Sequence, residues 1–167
     1  ANWGVPVQYC SAMPKNALSH EIESYLKSKY IGTEKLIFSG DRIGIYMLPQ
    51  GTDLKNAGVI YDRAHSSFSF LKKEKMDWDV LFQGVSYFHL SAISPALNQD
   101  VADLCVEAAK QASERGITVT FDLNYRAKLW KYGKKPVEIV PEIVHYCDVV
   151  MGNLWAANTL LGIEIDE

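Results

Sequence analysis

The sequence holds few of the features that settle a function at a glance. It has three cysteines, Cys10, Cys105 and Cys147, far apart and each in an apolar stretch. An odd number at such spacing suits buried thiols in a reducing compartment better than disulfides, so a cytoplasmic location is expected. No Cys-x-x-Cys or His-x-x-x-His spacing suggests zinc, and His20, His65, His89 and His145 are scattered, so no metal site is expected. No apolar run approaches the roughly 20 residues of a membrane span. The opening ANWGVPVQYC carries no charged leader ahead of an apolar stretch and does not read as a secretory signal. Charge of one sign is lacking too: 17 Lys and Arg against 20 Asp and Glu leave a net charge of -3. The one dense basic run, Lys72, Lys73 and Lys75 broken by Glu74, reads as a solvated loop rather than a nucleic-acid patch. Motifs that announce a chemistry are also missing. There is no G-x-x-x-x-G-K-[ST] phosphate loop, no G-x-G-x-x-G after a strand and no G-x-S-x-G elbow. No internal repeat or low-complexity segment is visible.

What is present is a rhythm. With 167 residues, 48% of them hydrophobic, the chain is long enough for one domain with a real core and too apolar for disorder. Residues 5–10 read as a strand, 14–16 as a turn, and Leu18, Ile22, Tyr25 and Leu26 as a helical stripe closed by Gly32. Residues 35–38 form a second strand. The first four residues resemble the tail of a preceding helix, which predicts further residues upstream. Two β-rich runs follow, 42–48 and 59–70, joined by a loop over 49–58 that is rich in Pro, Gly, Asp and Asn, so a hairpin is expected. Alternation places Tyr61, Arg63 and His65 on one face of the second run, and Gly44, Tyr46 and Leu48 on one face of the first. Such a hairpin is either an ordinary half-exposed sheet or a flap over a site.

From residue 85 onward strands and helices alternate: strands at 85–90, 117–123 and 148–151, helices at 98–115, 137–146 and 154–161, with Gly116 and Gly162 as stops. This pattern predicts an α/β fold with a parallel sheet. The strand ends at 91–94, 122–126 and 152–153 then gather polar loops on one edge, where ligands of open α/β sheets bind. The densest of them is TFDLNYRAKLW, residues 120–130, with Asp122, Asn124, Tyr125 and Arg126. A carboxylate, an amide and a guanidinium at such an edge suit an anionic or polyhydroxylated ligand; a plain polar loop is the other reading. Asp122 is the best-placed carboxylate, yet a strand-end Asp more often holds its loop by hydrogen bonding than acts as a base. Asn153 before the last helix is either an N-cap or part of an anion site.

Taken in order, GDRIGIYML, VIYDRA, FHLSAISPAL, ITVTFDLNYRAKLW and DVVMGN resemble the ribokinase-like (PfkB) carbohydrate kinases, most of all the 2-keto-3-deoxygluconate kinases. The resemblance runs from GVPVQYCSAMPKN to the GN-x-x-x-A-N-x-L-L-G end. It implies a ribokinase-like parallel sheet with flanking helices, residues 1–39 and 77–167, and a β-rich lid over 40–76 that lies across the sugar site and pairs between subunits of a homo-oligomer. Tyr46, Tyr61 and Arg63 would be lid residues touching a sugar acid, Arg126 would reach it from the sheet side, and Ile93 would line the pocket. Asn124 and Asn153 would lie towards the phosphates of ATP. The activity implied is transfer of the γ-phosphoryl group of ATP, with Mg2+, to the terminal hydroxyl of 2-keto-3-deoxygluconate, giving 2-keto-3-deoxy-6-phosphogluconate.

Three departures shape the expectation. The G-A-G-D segment that carries the family's anion hole and catalytic base has no counterpart here, so no catalytic residue is expected in this chain, which resembles a central fragment and is not competent alone. The family's amino-terminal strand with paired glycines is also absent. Ala156 stands where the family shows the Glu of N-x-x-E, a residue that influences magnesium and phosphate. The competing readings are a kinase for a neutral sugar such as fructose, a non-catalytic sugar-binding or oligomerisation module, and an unrelated α/β domain.

Overall fold

The structure, a computed structural model, describes Ala1, residues 3–48 and residues 58–164. The expected loop over 49–58 lies outside the described residues except for Gly58. The chain divides into two compact units, Ala1–Leu71 and Lys72–Glu167.

In the first unit, β1 (Val7–Gln8) pairs in parallel with β3 (Ile31–Gly32), and β2 (Ser11–Met13) pairs in parallel with β4 (Leu36–Phe38). The single strand expected over 5–10 is thus two short ones. Helix α1 (Ala17–Ser28) connects them. Asn16 starts it by accepting the Ser19 N–H at 3.0 Å, the usual role of an N-cap amide. The helix stops well before Gly32, which belongs to β3. Leu18 and Tyr25, expected on a packed stripe, are 52% and 62% exposed; paired strands this short offer too little area to cover the stripe.

The hairpin is present but shorter than expected. β5 (Ile45–Met47) and β6 (Ile60–Asp62) pair antiparallel, with Tyr46 directly opposite Tyr61. The run over 59–70 leaves the ladder after Asp62. His65 turns to a φ of 54°, so it does not continue the face of Tyr61 and Arg63, and Ser67–Phe70 coils into a 3-10 turn capped by Ser66. The cause is a serine cluster. The Ser67 N–H and hydroxyl donate to the Arg42 carbonyl at 2.8 and 3.0 Å, and Ser69 Oγ donates to the Ser66 carbonyl at 2.7 Å. Short hydroxyl side chains compete with strand pairing by bonding nearby backbone.

In the second unit the sheet order is β7-β8-β9, all parallel, formed by Tyr87–Ser91, Thr118–Asp122 and Val149–Met151. A short helix α2 (Trp78–Phe82), not expected from the sequence, precedes it. Helix α3 (Gln99–Glu114) joins β7 to β8, begun by Asn98 and followed by Gly116 at a φ of 70°. Its apolar face, Val101, Ala102, Leu104, Cys105, Ala108, Ala109 and Ala112, is buried, as are Val119 and Phe121 of β8. The helix expected over 137–146 is two pieces, a 3-10 turn at Pro136–Glu138 and α4 (Val140–Val144). Pro141 explains the break, because a proline has no N–H to donate and its ring excludes the carbonyl four residues earlier. Helix α5 (Leu154–Leu161) ends at Gly162, which takes a φ of 67°.

The expectation of three buried thiols needs correction. Cys105 is buried, Cys147 is half-buried and Cys10 is exposed, because Cys10 sits in the break between β1 and β2. No helix among the described residues is long and apolar enough to cross a membrane.

Candidate functional site

The register of the second unit brings its strand ends level: Ser91 faces Asp122, and Asp122 faces Met151. The loops that follow are stitched to one another by backbone. The Ala92 N–H donates to the Asp122 carbonyl at 2.9 Å, and the Leu123 N–H to the Met151 carbonyl at 2.7 Å. The tie at Asp122 thus runs through its backbone carbonyl and not through the carboxylate that was expected to hold the loop. At Gly152 the approach is so close that an added Cβ would stand 2.7 Å from Leu123 Cβ, so only glycine fits between the two strand ends.

This edge carries Ile93, Asn124, Arg126 and Asn153 together, as the sequence pattern predicts. Ile93 is half-buried in a turn where the Ser94 N–H donates to the Ser91 carbonyl at 3.0 Å. Asn124 is half-buried, and Arg126 is exposed, with one guanidinium nitrogen on the Tyr125 carbonyl at 2.8 Å. Asn153 Oδ1 accepts the Ala156 N–H at 2.8 Å, which gives this residue its capping role. The Tyr125 ring meets Trp155 edge-on at 5.0 Å between centroids and joins the loop after β8 to the start of α5. Ser91 Oγ is buried at the same edge with no hydrogen-bond partner.

In the first unit, Tyr46 and Tyr61 share a face of the hairpin, and the Arg63 guanidinium stands 5.6 Å from the Tyr61 ring centroid. A cation held over an aromatic face is stabilised by the ring's quadrupole and keeps its charge available. Arg63 Nε is buried without a partner. The neighbouring Arg42 is differently placed: it binds the Asp62 carboxylate at 2.5 Å and the carbonyls of Ala64 and Asp62.

The chain has four arginines. Arg42 is paired with Asp62 and Arg115 with Asp79, at 2.5 and 2.6 Å. Arg63 and Arg126 have no carboxylate partner among the described residues. The family resemblance implies these two as ligands of an anion, and among the described residues neither meets a carboxylate. Magnesium is less well served. The described residues hold no group of three or more His, Cys, Asp or Glu side chains able to bind a metal, and Ala156 is a buried methyl group. Residue-by-residue reading missed Tyr132, whose hydroxyl donates to the Pro95 carbonyl at 2.8 Å; nothing in its local spacing signals a partner 37 positions away.

Parallel strands joined by helices, with polar loops gathered on the carboxyl edge, define an α/β protein, and open α/β sheets in general bind ligands at that edge. The pattern of the pfkB family carbohydrate kinases matches residues 1–167, and the chain belongs to that family. The expected family and fold class are thereby borne out. A 2-dehydro-3-deoxygalactonokinase of Haloferax volcanii is 31% identical over 129 residues, covering 76% of this chain and 40% of its own length. A 2-dehydro-3-deoxygluconokinase of Bacillus subtilis is 24% identical over 173 residues, covering the whole chain and 52% of its own length. The crystal structure of a 2-dehydro-3-deoxygluconokinase from Thermotoga maritima superposes with a TM-score of 0.87 at 34% identity, over 98% of this chain and 50% of that one. The chain thus spans about half the length of the relatives it matches.

Proposed function

We propose that the protein carrying this chain is a sugar-acid kinase that transfers the γ-phosphoryl group of ATP to the terminal hydroxyl of 2-keto-3-deoxygluconate, giving 2-keto-3-deoxy-6-phosphogluconate. One observation carries the substrate class: Arg63 and Arg126 are the arginines without a carboxylate partner among the described residues. A sugar acid brings that carboxylate, and a planar guanidinium holds it by paired charge-assisted hydrogen bonds, which a neutral sugar cannot offer. The names of the relatives, kinases of 2-dehydro-3-deoxy sugar acids, support the same choice.

In this reading residues 40–76 act as a lid on a body made of 1–39 and 77–167, and lids pair between copies in a homo-oligomer. Tyr46 and Tyr61 present ring and hydroxyl to the sugar, Arg63 and Arg126 hold its carboxylate, and Ile93 gives the pocket an apolar wall. Asn124 and Asn153 lie towards the ATP phosphates. Phosphoryl transfer depends mainly on positioning and charge neutralisation, with water kept away from the transferred group. These residues bind and orient; no general base is assigned among them, and no step is routed through magnesium. A cytoplasmic setting, where ATP is at hand, belongs to the same proposal.

The test is a coupled ADP-release assay on the protein carrying this chain, with 2-keto-3-deoxygluconate, its galacto epimer and fructose. The acids should be turned over in preference to fructose. A charge-assisted hydrogen bond is worth about 1.5–3 kcal/mol, so Arg63→Ala or Arg126→Ala should raise the KM for the acid roughly 10- to 150-fold. Faster turnover of fructose would overturn the substrate class. Binding of the acid without turnover would instead identify a non-catalytic sugar-binding module.

A further inference from the structure

We propose that Tyr132 is a positioning residue whose hydroxyl fixes the turn carrying Ile93 at the carboxyl edge of the sheet and so sets the affinity for the sugar. The assignment deepens the function proposed above and rests on it for the identity of the ligand.

The turn after β7 packs through Ala92, Pro95 and Ala96, whose side chains are fully buried and carry no polar atom. Its own hydrogen bonds are local: the Ser94 N–H to the Ser91 carbonyl at 3.0 Å and the Leu97 N–H to the Ser94 carbonyl at 3.2 Å. One tie near the strand, the Ala92 N–H to the Asp122 carbonyl at 2.9 Å, links it to the chain leaving β8. The second tie is farther out, where Tyr132 Oη donates to the carbonyl of the fully buried Pro95 at 2.8 Å. A buried carbonyl left unpaired is costly, so this bond has a fixed direction. The Tyr132 ring is itself held by stacking on Trp130, 5.9 Å between centroids and 25° from parallel.

The two ties bracket Ile93 on one side and the residues from Asn124 to Arg126 on the other. Both strand-end loops therefore move as one piece while the tyrosine hydroxyl is present. Burial, assisted by Cys105, Asp103 and Glu138, raises the Tyr132 hydroxyl to about 12, so it stays a donor across the working range. Loosening the loops that hold the sugar weakens ground state and transition state alike, so the loss falls on KM and not on kcat.

The test compares Tyr132→Phe, which keeps the stacked ring and removes the hydroxyl, with wild type in the protein carrying this chain. Two readouts are needed. In hydrogen exchange, the amides of Ala92, Ser94 and Leu97 should lose protection while those of α3 and β8 do not. In kinetics, KM for the best sugar substrate should rise roughly 3- to 30-fold, as expected for one lost hydrogen bond, with kcat and the KM for ATP within about twofold. Tyr132→Leu, which also removes the stack, should show the same split with a larger rise. Unchanged turn protection, or an unchanged sugar KM beside a lowered melting temperature, would overturn the proposal. If the wild type phosphorylates no sugar, the function proposed above fails and takes the affinity effect with it, while the exchange experiment still decides whether the hydroxyl fixes the turn.

Discussion

Gly152→Ala offers the sharpest test of how the strand ends are built. The new Cβ would stand 2.7 Å from Leu123 Cβ, 3.0 Å from its Cδ1 and 3.2 Å from its Cγ. The first contact is with an atom fixed to the backbone of a residue only 4% exposed, so rotation of the leucine cannot relieve it. The ends of β8 and β9 must part, which stretches the 2.7 Å bond from the Leu123 N–H to the Met151 carbonyl. Overpacking of this kind costs about 1–3 kcal/mol. For a chain of this size each kcal/mol lowers Tm by about 2–4 °C, giving a fall of roughly 2–12 °C. Thermal unfolding followed by circular dichroism measures it. Adding Leu123→Ala removes the Cγ and Cδ1 contacts but keeps the Cβ one, so the double variant should be less destabilised than the sum of the singles, yet not restored. Gly116→Ala is the contrast. Unlike Gly152 it sits at a positive φ, 70°, and an added Cβ meets nothing within 4 Å, so its cost is backbone strain alone, about 1–2 kcal/mol, and it should show no coupling to Leu123. A Tm within a degree of wild type for Gly152→Ala, or strict additivity with Leu123→Ala, would refute the steric argument.

Two further outcomes follow from ionisable groups. Glu23 accepts a hydrogen bond from Lys27 Nζ at 2.7 Å, with His20 and Thr33 as lesser partners, and these hold its carboxyl below the ordinary 4.5. A depressed carboxyl stabilises the fold above its ordinary pKa and loses that contribution as pH falls through the lowered value. Glu23→Gln should therefore lower the urea midpoint near neutral pH and flatten its decline in acid; an unchanged pH profile would count against the pairing. Burial pushes the Cys105 thiol up to about 12. Only the thiolate reacts, so a disulfide reagent should leave Cys105 unlabelled in the native protein at mildly alkaline pH and label it once denaturant is added. The preference for the neutral thiol stabilises the fold below the ordinary 9.0 and is lost as pH rises towards 12.

Some of this molecule is written in short stretches of sequence. Helix α3 was legible almost to the residue, because Asn98, the apolar stripe from Val101 to Ala112 and Gly116 are local signals that lie within the element they bound. Helix α5 was legible for the same reason, between Asn153 and Gly162. The candidate site at the sheet edge followed from the alternation of strands and helices, since parallel strands must all end on one side. Where local chemistry competed with pattern, the reading failed: Pro141 split a helix, and the serines after Asp62 ended a strand that β-rich composition alone would have extended.

Other features belong to the tertiary structure alone. Four arginines look alike in sequence, yet Arg42 finds Asp62 across 20 positions and Arg115 finds Asp79 across 36. That leaves Arg63 and Arg126 without a carboxylate among the described residues. The bond from Tyr132 to Pro95 spans 37 positions, and the need for glycine at 152 arises from a leucine on another strand. Side-chain pattern within a few residues decides which elements form and how their loops gather. Which charges are neutralised and which loops are tied depends on distances that exist only once the strands are in register.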